Sequence, residues 1–157
     1  MKTEVRIRPA SKADRDFVVS LMPRLVEFGP PRWRDPEQMT AHDTRIILNS
    51  LLNPTHDAAV FIAEDSEGAP LGLLHLHAAT EHYIHEEHGH VEDVIVAPAG
   101  EGRGVGRALL EKAEEWSRER GYRWLTLNVF AENVRAREVY KRLGYGEDMV
   151  KYVKELD

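Results

Sequence analysis

The chain has 157 residues, of which 42% are hydrophobic and 31% are charged, and its formal net charge is −6. This length and composition predict one globular α/β domain over residues 1–157 and exclude a fibrous or disordered chain. The negative charge argues against nucleic acid or an anionic membrane as a partner and favours a cationic substrate, and the absence of cysteine excludes disulfides, thiolate nucleophiles and cysteine-type zinc sites.

The opening stretch, MKTEVRIRPASKADRD, lacks the apolar segment of a secretory signal. No window of the sequence approaches the roughly 18 apolar residues that a membrane-spanning helix needs. We therefore expect no membrane partner and a cytoplasmic location.

The first third of the chain is predicted to form one strand and two helices. The strand lies in EVRIRPA (4–10), and Ser11 followed by Asp14 is typical of a helix start. Apolar residues at helical spacing continue this first helix to Phe28, before the proline-rich loop GPPRWRDP. A second helix is predicted over Pro36–Leu52.

The rest of the chain is predicted to alternate strands with two further helices. The predicted strands are Ala58–Glu64, Leu71–Ala79, His90–Val96, Trp124–Val129 and a last strand in MVKYVKEL, Met149–Leu156. One helix follows the third of these strands and ends at Gly121, and another begins at Asn133 and ends at Gly144. Three consecutive strands in the middle of this order predict a mixed sheet, since a purely parallel sheet would need a helix between each pair.

A glycine-rich segment, PAGEGRGVGRALL, lies between the strand His90–Val96 and the helix after it. Its glycines fit neither the dinucleotide pattern G-x-G-x-x-G nor the P-loop G-x-x-x-x-G-K-[ST]. A turn of backbone N–H groups at a helix N-terminus still favours an anion. Arg103 and Arg107 add positive charge, so the segment is predicted to bind a phosphate group.

The segment VIVAPAGEGRGVGRALL resembles the signature of the GNAT family of acyl-CoA-dependent N-acetyltransferases. The family's pyrophosphate loop, Q/R-x-x-G-x-G/A, falls on residues 101–106. The later segment LNVFAENVRAREVYKRLGY is similar to the family's second motif, a strand followed by Asn-x-x-A-x-x-x-Y-x-x-x-G-[FY]. Because IRPASKAD and YVKEL are also typical of the family, the resemblance covers nearly the whole chain.

The resemblance implies a single-domain GNAT fold, with a mixed, mostly antiparallel central sheet, about four flanking helices and splayed strands at the coenzyme A site. It implies transfer of an acetyl group from acetyl-CoA to a primary amine of a small molecule or peptide, by direct attack in a ternary complex and without a required metal. Acetyl-CoA would lie between the strands His90–Val96 and Trp124–Val129. A homodimer is also plausible by resemblance.

The resemblance also implies which residues hold the cofactor. Backbone groups of the strand are expected to pair with the pantetheine arm, and the glycine-rich loop with the pyrophosphate. The expected cofactor-binding residues are Val94, Ile95, Val96, Glu101, Gly102, Arg103, Gly104, Val105, Gly106, Arg107, Asn133 and Tyr140. Glu101 departs from the family's Gln or Arg, and we expect it to weaken coenzyme A binding at most, because backbone N–H groups form most of the cradle. Asn133 is also explained as a helix cap alone.

Three residues are expected to be catalytic. By resemblance, Tyr140 donates a proton to the departing thiolate, although it could instead pack within its helix. Glu92 is the first candidate for the base and His90 the second, and regular alternation would place both on one face of their strand. A structural ion pair for Glu92 and a solvent-facing His90 remain open alternatives.

Two other functions remain open. Six of the eight histidines lie between His75 and His90, and HLH and HGH each direct two imidazoles to one side of a strand, so the chain could be a metal-binding protein. A third possibility is a domain that binds acyl-CoA as a sensor without turning it over. The acceptor amine is not identified by the sequence; the segment TEHYIHEEHGH is expected to be a polar loop at the mouth of the acceptor site.

Overall fold

The computed structural model describes residues 4–157, and its strands form one five-stranded sheet in the order β1-β2-β3-β4-β5. The strands are β1 (Arg6–Pro9), β2 (Ala58–Glu64), β3 (Pro70–Thr80), β4 (Glu87–Val96) and β5 (Leu125–Leu127). The first four pair antiparallel and β4 pairs parallel with β5. The prediction of a mixed, mostly antiparallel sheet is confirmed.

The described residues form four α-helices. They are α1 (Arg15–Leu21), α2 (Pro36–Leu52), α3 (Val105–Glu119) and α4 (Val134–Arg142). The predicted helix start at Ser11 is a capping box with Asp14, although the turn that it opens is a 3-10 turn that leads into α1.

The first helix is shorter than its apolar pattern predicted. α1 ends at Leu21, and residues Met22–Val26 form a separate 3-10 turn instead of continuing it to Phe28. Pro23 has no backbone N–H to donate to the preceding turn, so the α-helix cannot run through it. The chain is thereby redirected toward the glycine-rich segment.

Two apolar cores lie on opposite faces of the sheet. One face packs against α3 through side chains such as Leu74, Leu76 and Leu109, and the other packs against α1 and α2 through Leu73 and Ile47. The alternation of Leu73 with its neighbours in β3 explains this division, because successive side chains of a strand point to opposite faces. The sheet is therefore the middle layer of three.

The prediction of a last strand over residues 149–156 is wrong. Residues 149–156, which the structure describes in full, form no strand, and Met149, Tyr152 and Leu156 are 82%, 91% and 81% exposed. Alternating side chains favour an extended backbone, but a strand also needs a neighbouring edge to pair with, and β5 is only three residues long. In the part of the chain that the structure describes, no helix has the length and apolarity required to cross a membrane.

Candidate functional site

The edge of β4 that faces β5 is paired over only part of its length. The parallel ladder joins Gly89 to Leu125 and ends where Val91 meets Leu127. β4 continues to Val96, and among residues 4–157 no strand pairs with that edge beyond Val91. The predicted splay between these two strands is confirmed, and the backbone of Val94, Ile95 and Val96 lies along its open side.

The glycine-rich segment forms a turn that ends at the N-terminus of α3. Gly102 and Gly104 have φ values of 72° and 76°, which residues with side chains rarely adopt. Among residues 4–157, apart from the adjacent ones, no atom lies within 4 Å of where a Cβ would stand on either glycine. Gly104 is the N-cap of α3 and has no side chain to accept from the first turn. The leading N–H groups of α3 are consequently free of a side-chain cap and favour an anionic ligand.

Glu101 is paired with a cation that the sequence did not connect to it. Arg24, in the 3-10 turn after α1, donates from Nη2 to Glu101 Oε1 at 2.6 Å, and its Nη1 lies 3.7 Å from Glu27 Oε1. The Glu101 side chain is 54% exposed. The negative charge at the predicted phosphate-binding loop is therefore offset locally, and the loop is tied to the layer of α1 and α2.

The two arginines of the glycine-rich segment are engaged within the chain. Arg103 Nη1 donates to the Ala99 carbonyl oxygen at 3.2 Å, and Arg107 Nε donates to Glu111 Oε1 at 3.1 Å along α3. Arg107 also lines a groove of about 330 Å³ between α3 and α4, together with Arg142. Both guanidinium groups thus have partners within the chain, and Arg107 also borders open space between α3 and α4.

A β-bulge in β4 places Glu92 beside two histidines. His75 is opposite Asp93, but the next residue of β3 is opposite Val91, so Glu92 is an extra residue in its strand. The predicted regular alternation is wrong here: Val91 packs on the α3 side together with Val94 and Val96, which a strict period of two would forbid.

His77, His90 and Glu92 form a cluster at the end of the splay. His77 and His90 are cross-strand partners with ring centroids 5.1 Å apart. His77 Nε2 lies 2.8 Å from Glu92 Oε2, and His90 Nε2 lies 3.8 Å from the same oxygen. The side chains of His77, His90 and Glu92 are 34%, 15% and 30% exposed, so the cluster is largely buried but still reaches the surface. The expectation that His90 and Glu92 lie together is met through the bulge.

The neighbouring groups favour one arrangement of protons in this cluster. The Ala78 carbonyl oxygen, 3.1 Å from His77 Nδ1, can only accept, so that nitrogen donates. His90 Nδ1 lies 2.7 Å from Thr126 Oγ1, whose own hydroxyl lies 3.5 Å from the Gly89 carbonyl oxygen. Donation from Thr126 to that carbonyl leaves its lone pairs for His90 Nδ1–H, and His90 Nε2 then carries a free lone pair on the Glu92 side.

Burial also favours a neutral His90. Desolvation lowers the pKa of His90 below its usual value, the charges of His77 and His88 lower it further, and Glu92 acts in the opposite direction. A neutral imidazole with a free Nε2 can accept a proton at neutral pH.

Tyr140 lies on α4 and packs against the core on the α3 side. Its ring meets Tyr145 edge to face at 5.8 Å, and burial raises its pKa above the usual value for a phenol. Asn133 caps α4 by accepting from the Ala136 N–H at 3.3 Å. Tyr140 and the histidine cluster thus lie on opposite faces of the sheet, on either side of the splay.

A second polar group on β3 and β4 is enclosed. His75 is 1% exposed; its Nε2 lies 2.8 Å from Ser50 Oγ and its Nδ1 lies 3.4 Å from Asp93 Oδ2. Burial raises the pKa of Asp93, and the hydrogen bond from His75 opposes that rise. Since His75 and Asp93 are shielded from solvent, this trio joins α2 to the sheet and offers no surface to a substrate.

The proline-rich loop approaches the start of α4. Gly29 has a φ of 93°, and a Cβ there would lie 2.8 Å from Phe130 Cβ and 3.3 Å from the Asn133 nitrogen. Glycine is therefore required at this contact. The loop connects the layer of α1 and α2 with the residues that follow β5. Trp33, nearly half exposed, lies in this loop beneath the guanidinium of Arg34.

Sequence reasoning named Glu101, His90 and Glu92 as site residues but missed one partner of each. Arg24, His77 and Thr126 contact the predicted site residues across separations of 15 to 77 positions. The HLH spacing was the one available signal for His77, because it placed His75 and His77 on the same side of a strand. Its pairing with Glu92 depends on the register of β3 and β4 and on the bulge.

The chain is similar in sequence to one known protein family and to individual acetyltransferases. The model of the acetyltransferase (GNAT) family matches residues 22–145. Streptothricin acetyltransferase of Streptomyces lavendulae is 34% identical over 89 residues, 57% of this chain and 45% of that protein, so this chain spans less than half of that relative. The uncharacterized N-acetyltransferase YhfO of Bacillus subtilis (strain 168) is 29% identical over 144 residues, covering 92% of this chain and 91% of YhfO.

A solved structure shares the fold over almost the whole chain. The structure of AAC(6')-Iy in complex with the bisubstrate analogue CoA-S-monomethyl-acetylneamine has a TM-score of 0.70 and 21% identity, over 98% of this chain and 100% of that one. The family model covers most of the chain and includes the open strand edge and the glycine-rich loop. The chain belongs to the acetyltransferase (GNAT) family.

Proposed function

We propose that this chain is an N-acetyltransferase that transfers an acetyl group from acetyl-CoA to a primary amine of a small molecule or peptide. The observation that carries the proposal is the unpaired edge of β4, which leads directly into the glycine turn at the N-terminus of α3. An extended arm can add to such an edge while its phosphates bind the helix N-terminus. Family membership and the bisubstrate complex of AAC(6')-Iy support acetyl-CoA as the donor.

The donor is held by groups that this chain supplies at three places. Backbone groups of Val94, Ile95 and Val96 pair with the pantetheine arm, and the loop from Glu101 to Gly106 surrounds the pyrophosphate. Arg107 and Asn133 border the cofactor from α3 and α4. The N–H groups of β4 also polarise the thioester carbonyl.

The reaction is a direct attack within a ternary complex. Glu92 holds the incoming ammonium, and His90 Nε2 accepts its proton directly or through water. The neutral amine nitrogen forms a bond to the carbonyl carbon, and the carbon–sulfur bond breaks. Tyr140 donates its phenolic proton to the departing thiolate, since burial keeps the phenol protonated at neutral pH. The second proton, which the nitrogen loses as the amide forms, passes through water to the Tyr140 phenolate and restores it.

The test begins with calorimetric titration of the metal-free chain with acetyl-CoA. We expect micromolar binding, followed by acetylation of at least one compound in a panel of aminoglycosides, polyamines, amino acids and peptides, read by mass spectrometry of the amine. Failure to bind acetyl-CoA overturns the donor site. Tight binding with no acetylated product across the panel favours a sensor that binds acyl-CoA without turnover.

We also propose a homodimer in which residues 149–156 are covered by a second copy. The support is the exposure of Met149, Tyr152 and Leu156 in a segment that forms no strand in the single chain. Sedimentation equilibrium is expected to give about twice the chain mass of 17.9 kDa, and a chain that ends at Glu147 is expected to sediment as a monomer. A monomeric full chain at every concentration contradicts the proposal.

A further inference from the structure

We propose that His77, His90 and Glu92 bind a zinc ion and that the bound ion blocks the acceptor site. The three residues each offer one ligand atom, and these atoms lie within 4.8 Å of one another. Only the blocking effect rests on the proposed acetyltransferase function; the metal site rests on the donor atoms alone.

The separations between ligand atoms suit a small tetrahedral ion. Bonds of about 2.0–2.2 Å in a tetrahedral site place ligand atoms about 3.3 Å apart. In the structure, Glu92 Oε2 lies 2.8 Å from His77 Nε2 and 3.8 Å from His90 Nε2. One distance is shorter and the other longer than the tetrahedral separation of about 3.3 Å. Small rotations of these partly exposed side chains bring all three atoms to a common centre.

The backbone already holds the three residues together. His77 and His90 are direct cross-strand partners, and the bulge in β4 turns Glu92 to their side. The site therefore needs no rearrangement of the sheet, and side-chain movement is sufficient.

The outer contacts of both histidines are those of metal ligands. A ligating imidazole commonly donates its other N–H to a carbonyl or another oxygen, which fixes the ring orientation. His77 Nδ1 lies 3.1 Å from the Ala78 carbonyl oxygen, to which it can only donate, and His90 Nδ1 lies 2.7 Å from Thr126 Oγ1. Both Nε2 atoms are thus directed toward Glu92, and zinc takes the place of the proton between His77 and that carboxylate.

The donor set favours a transition-metal ion such as zinc over Mg²⁺. Two imidazoles and one carboxylate suit zinc, with the fourth position left to water, whereas Mg²⁺ prefers oxygen ligands alone. A bound ion occupies the lone pair of His90 and the carboxylate of Glu92, the two groups that the proposed mechanism uses for the amine. Zinc is accordingly an inhibitor, competing with the acceptor.

The direct test is calorimetric titration of the chelator-treated, dialysed chain with zinc chloride. We expect one equivalent to bind, at least tenfold weaker binding in each of His77→Ala, His90→Ala and Glu92→Gln, and no binding of magnesium chloride. His56→Ala is the matched control, because that side chain is 86% exposed and outside the cluster, and its zinc affinity is expected to be unchanged. Circular dichroism melts show which variants are folded.

Thr126→Val keeps all three ligands and removes only the partner of His90 Nδ1. It is expected to weaken zinc binding about tenfold or more, as loss of such an outer contact typically does. Equal zinc affinity in wild type, His77→Ala and Glu92→Gln, or an equal loss in His56→Ala, overturns the site.

The inhibitory effect is measured on the acetylated amine by mass spectrometry, because zinc also binds the free thiol of coenzyme A. One equivalent of zinc is expected to inhibit wild type and His56→Ala, while His77→Ala needs at least tenfold more zinc relative to its own metal-free rate. Zinc binding without any acetylation rejects the proposed function and keeps the site. Acetylation without zinc binding rejects the site and keeps the function.

Discussion

At the scale of single residues, Tyr140 shows how position within the fold sets chemistry. Its ring is packed against the α3-side core and against Tyr145, and this burial raises its pKa. A phenol with a raised pKa stays protonated throughout the neutral range and can serve as a proton donor. The same packing would also suit a purely structural tyrosine, so the distinction has to come from kinetics.

Replacing Tyr140 by Phe is expected to lower kcat by about 100-fold or more, because a positioned general acid contributes rate enhancements of that order. Affinity for acetyl-CoA, measured by calorimetry, is expected to change by less than about threefold. Tyr145→Phe, which changes the neighbouring ring 5.8 Å away, is the matched control and should retain wild-type turnover. Full activity of Tyr140→Phe would remove this residue from the mechanism.

Glu101 is a second residue whose effect depends on a partner. Its carboxylate lies at the predicted pyrophosphate loop and is paired with Arg24 at 2.6 Å. Glu101→Gln is expected to tighten coenzyme A binding by about two- to fivefold, since it removes a like charge from the anion site and releases Arg24, in line with the modest energies of exposed ion pairs.

The control for this change is Glu27→Gln, which removes a negative charge beside the same arginine but is not part of the glycine-rich segment. Calorimetric titration with coenzyme A is expected to show no effect of Glu27→Gln and a smaller effect of Glu101→Gln at high salt. An affinity of Glu101→Gln equal to that of wild type contradicts the prediction and indicates that the carboxylate faces away from the ligand.

At the scale of elements, the sequence predicted most of the sheet and all four helices. Regular alternation and helical spacing report local geometry, so Ala58–Glu64 and Pro36–Leu52 were predicted with the bounds that the structure has. The errors occur where a local pattern competes with another constraint. Pro23 ended α1 early, and residues 149–156 lacked an edge to pair with.

The geometry of the candidate site could be predicted only between residues that lie close together in the sequence. The glycine turn and Tyr140 follow from the sequence, whereas the pairing of His77 with Glu92 depends on a bulge that no alternation pattern indicates. The contact of Arg24 with Glu101 joins residues 77 positions apart. Such long-range pairs are set by how the layers pack, and a single sequence does not encode them in any local spacing.

The close packing of α3 against the sheet at Gly72 can be tested by substitution. A Cβ on Gly72 would lie 2.7 Å from the Ile95 carbonyl oxygen and 3.0 Å from Val105 Cγ1. Gly72→Ala must therefore push α3 and β4 away from β3, at a cost of about 1–3 kcal/mol in the free energy of unfolding, and should weaken coenzyme A binding because the glycine turn moves with α3.

Urea denaturation and coenzyme A calorimetry measure the two effects. Gly146→Ala is the matched control, since among residues 4–157 no atom lies within 4 Å of its added Cβ, and both quantities should remain at wild-type values. Wild-type stability in Gly72→Ala would show that the strands can separate without cost.

At the scale of the whole molecule, folding encloses a tyrosine hydroxyl that has no hydrogen-bond partner within residues 4–157. This hydroxyl belongs to Tyr145. Burial, and to a smaller extent the charges of Glu114 and Tyr140, raises the pKa of Tyr145 to about 12. Because the folded pKa exceeds the unfolded value of about 10, the protonated phenol favours the folded state. That contribution is complete below about pH 10 and is lost as the pH rises through 12.

Tyr145→Phe is therefore expected to increase the free energy of unfolding by about 1 kcal/mol at pH 8, because it removes an unsatisfied buried hydroxyl. Between pH 10 and 12 it should lose less stability than wild type, although Tyr122 and Tyr140 also have raised pKa values and still contribute. Urea denaturation at pH 8 and pH 11 compares the two proteins. Lower stability of the variant at both values would show that the hydroxyl has a partner, such as water.

The open edge of β4 has a consequence for handling the protein. Between Glu92 and Val96 the strand presents backbone donors and acceptors on its β5 side, and exposed strand edges are templates on which other chains pair and aggregate. A ligand arm laid along this edge removes the template. Stocks kept with coenzyme A should therefore remain free of aggregates for longer than stocks of the free chain. Coenzyme A would then improve the solubility of the protein independently of any acetyl transfer.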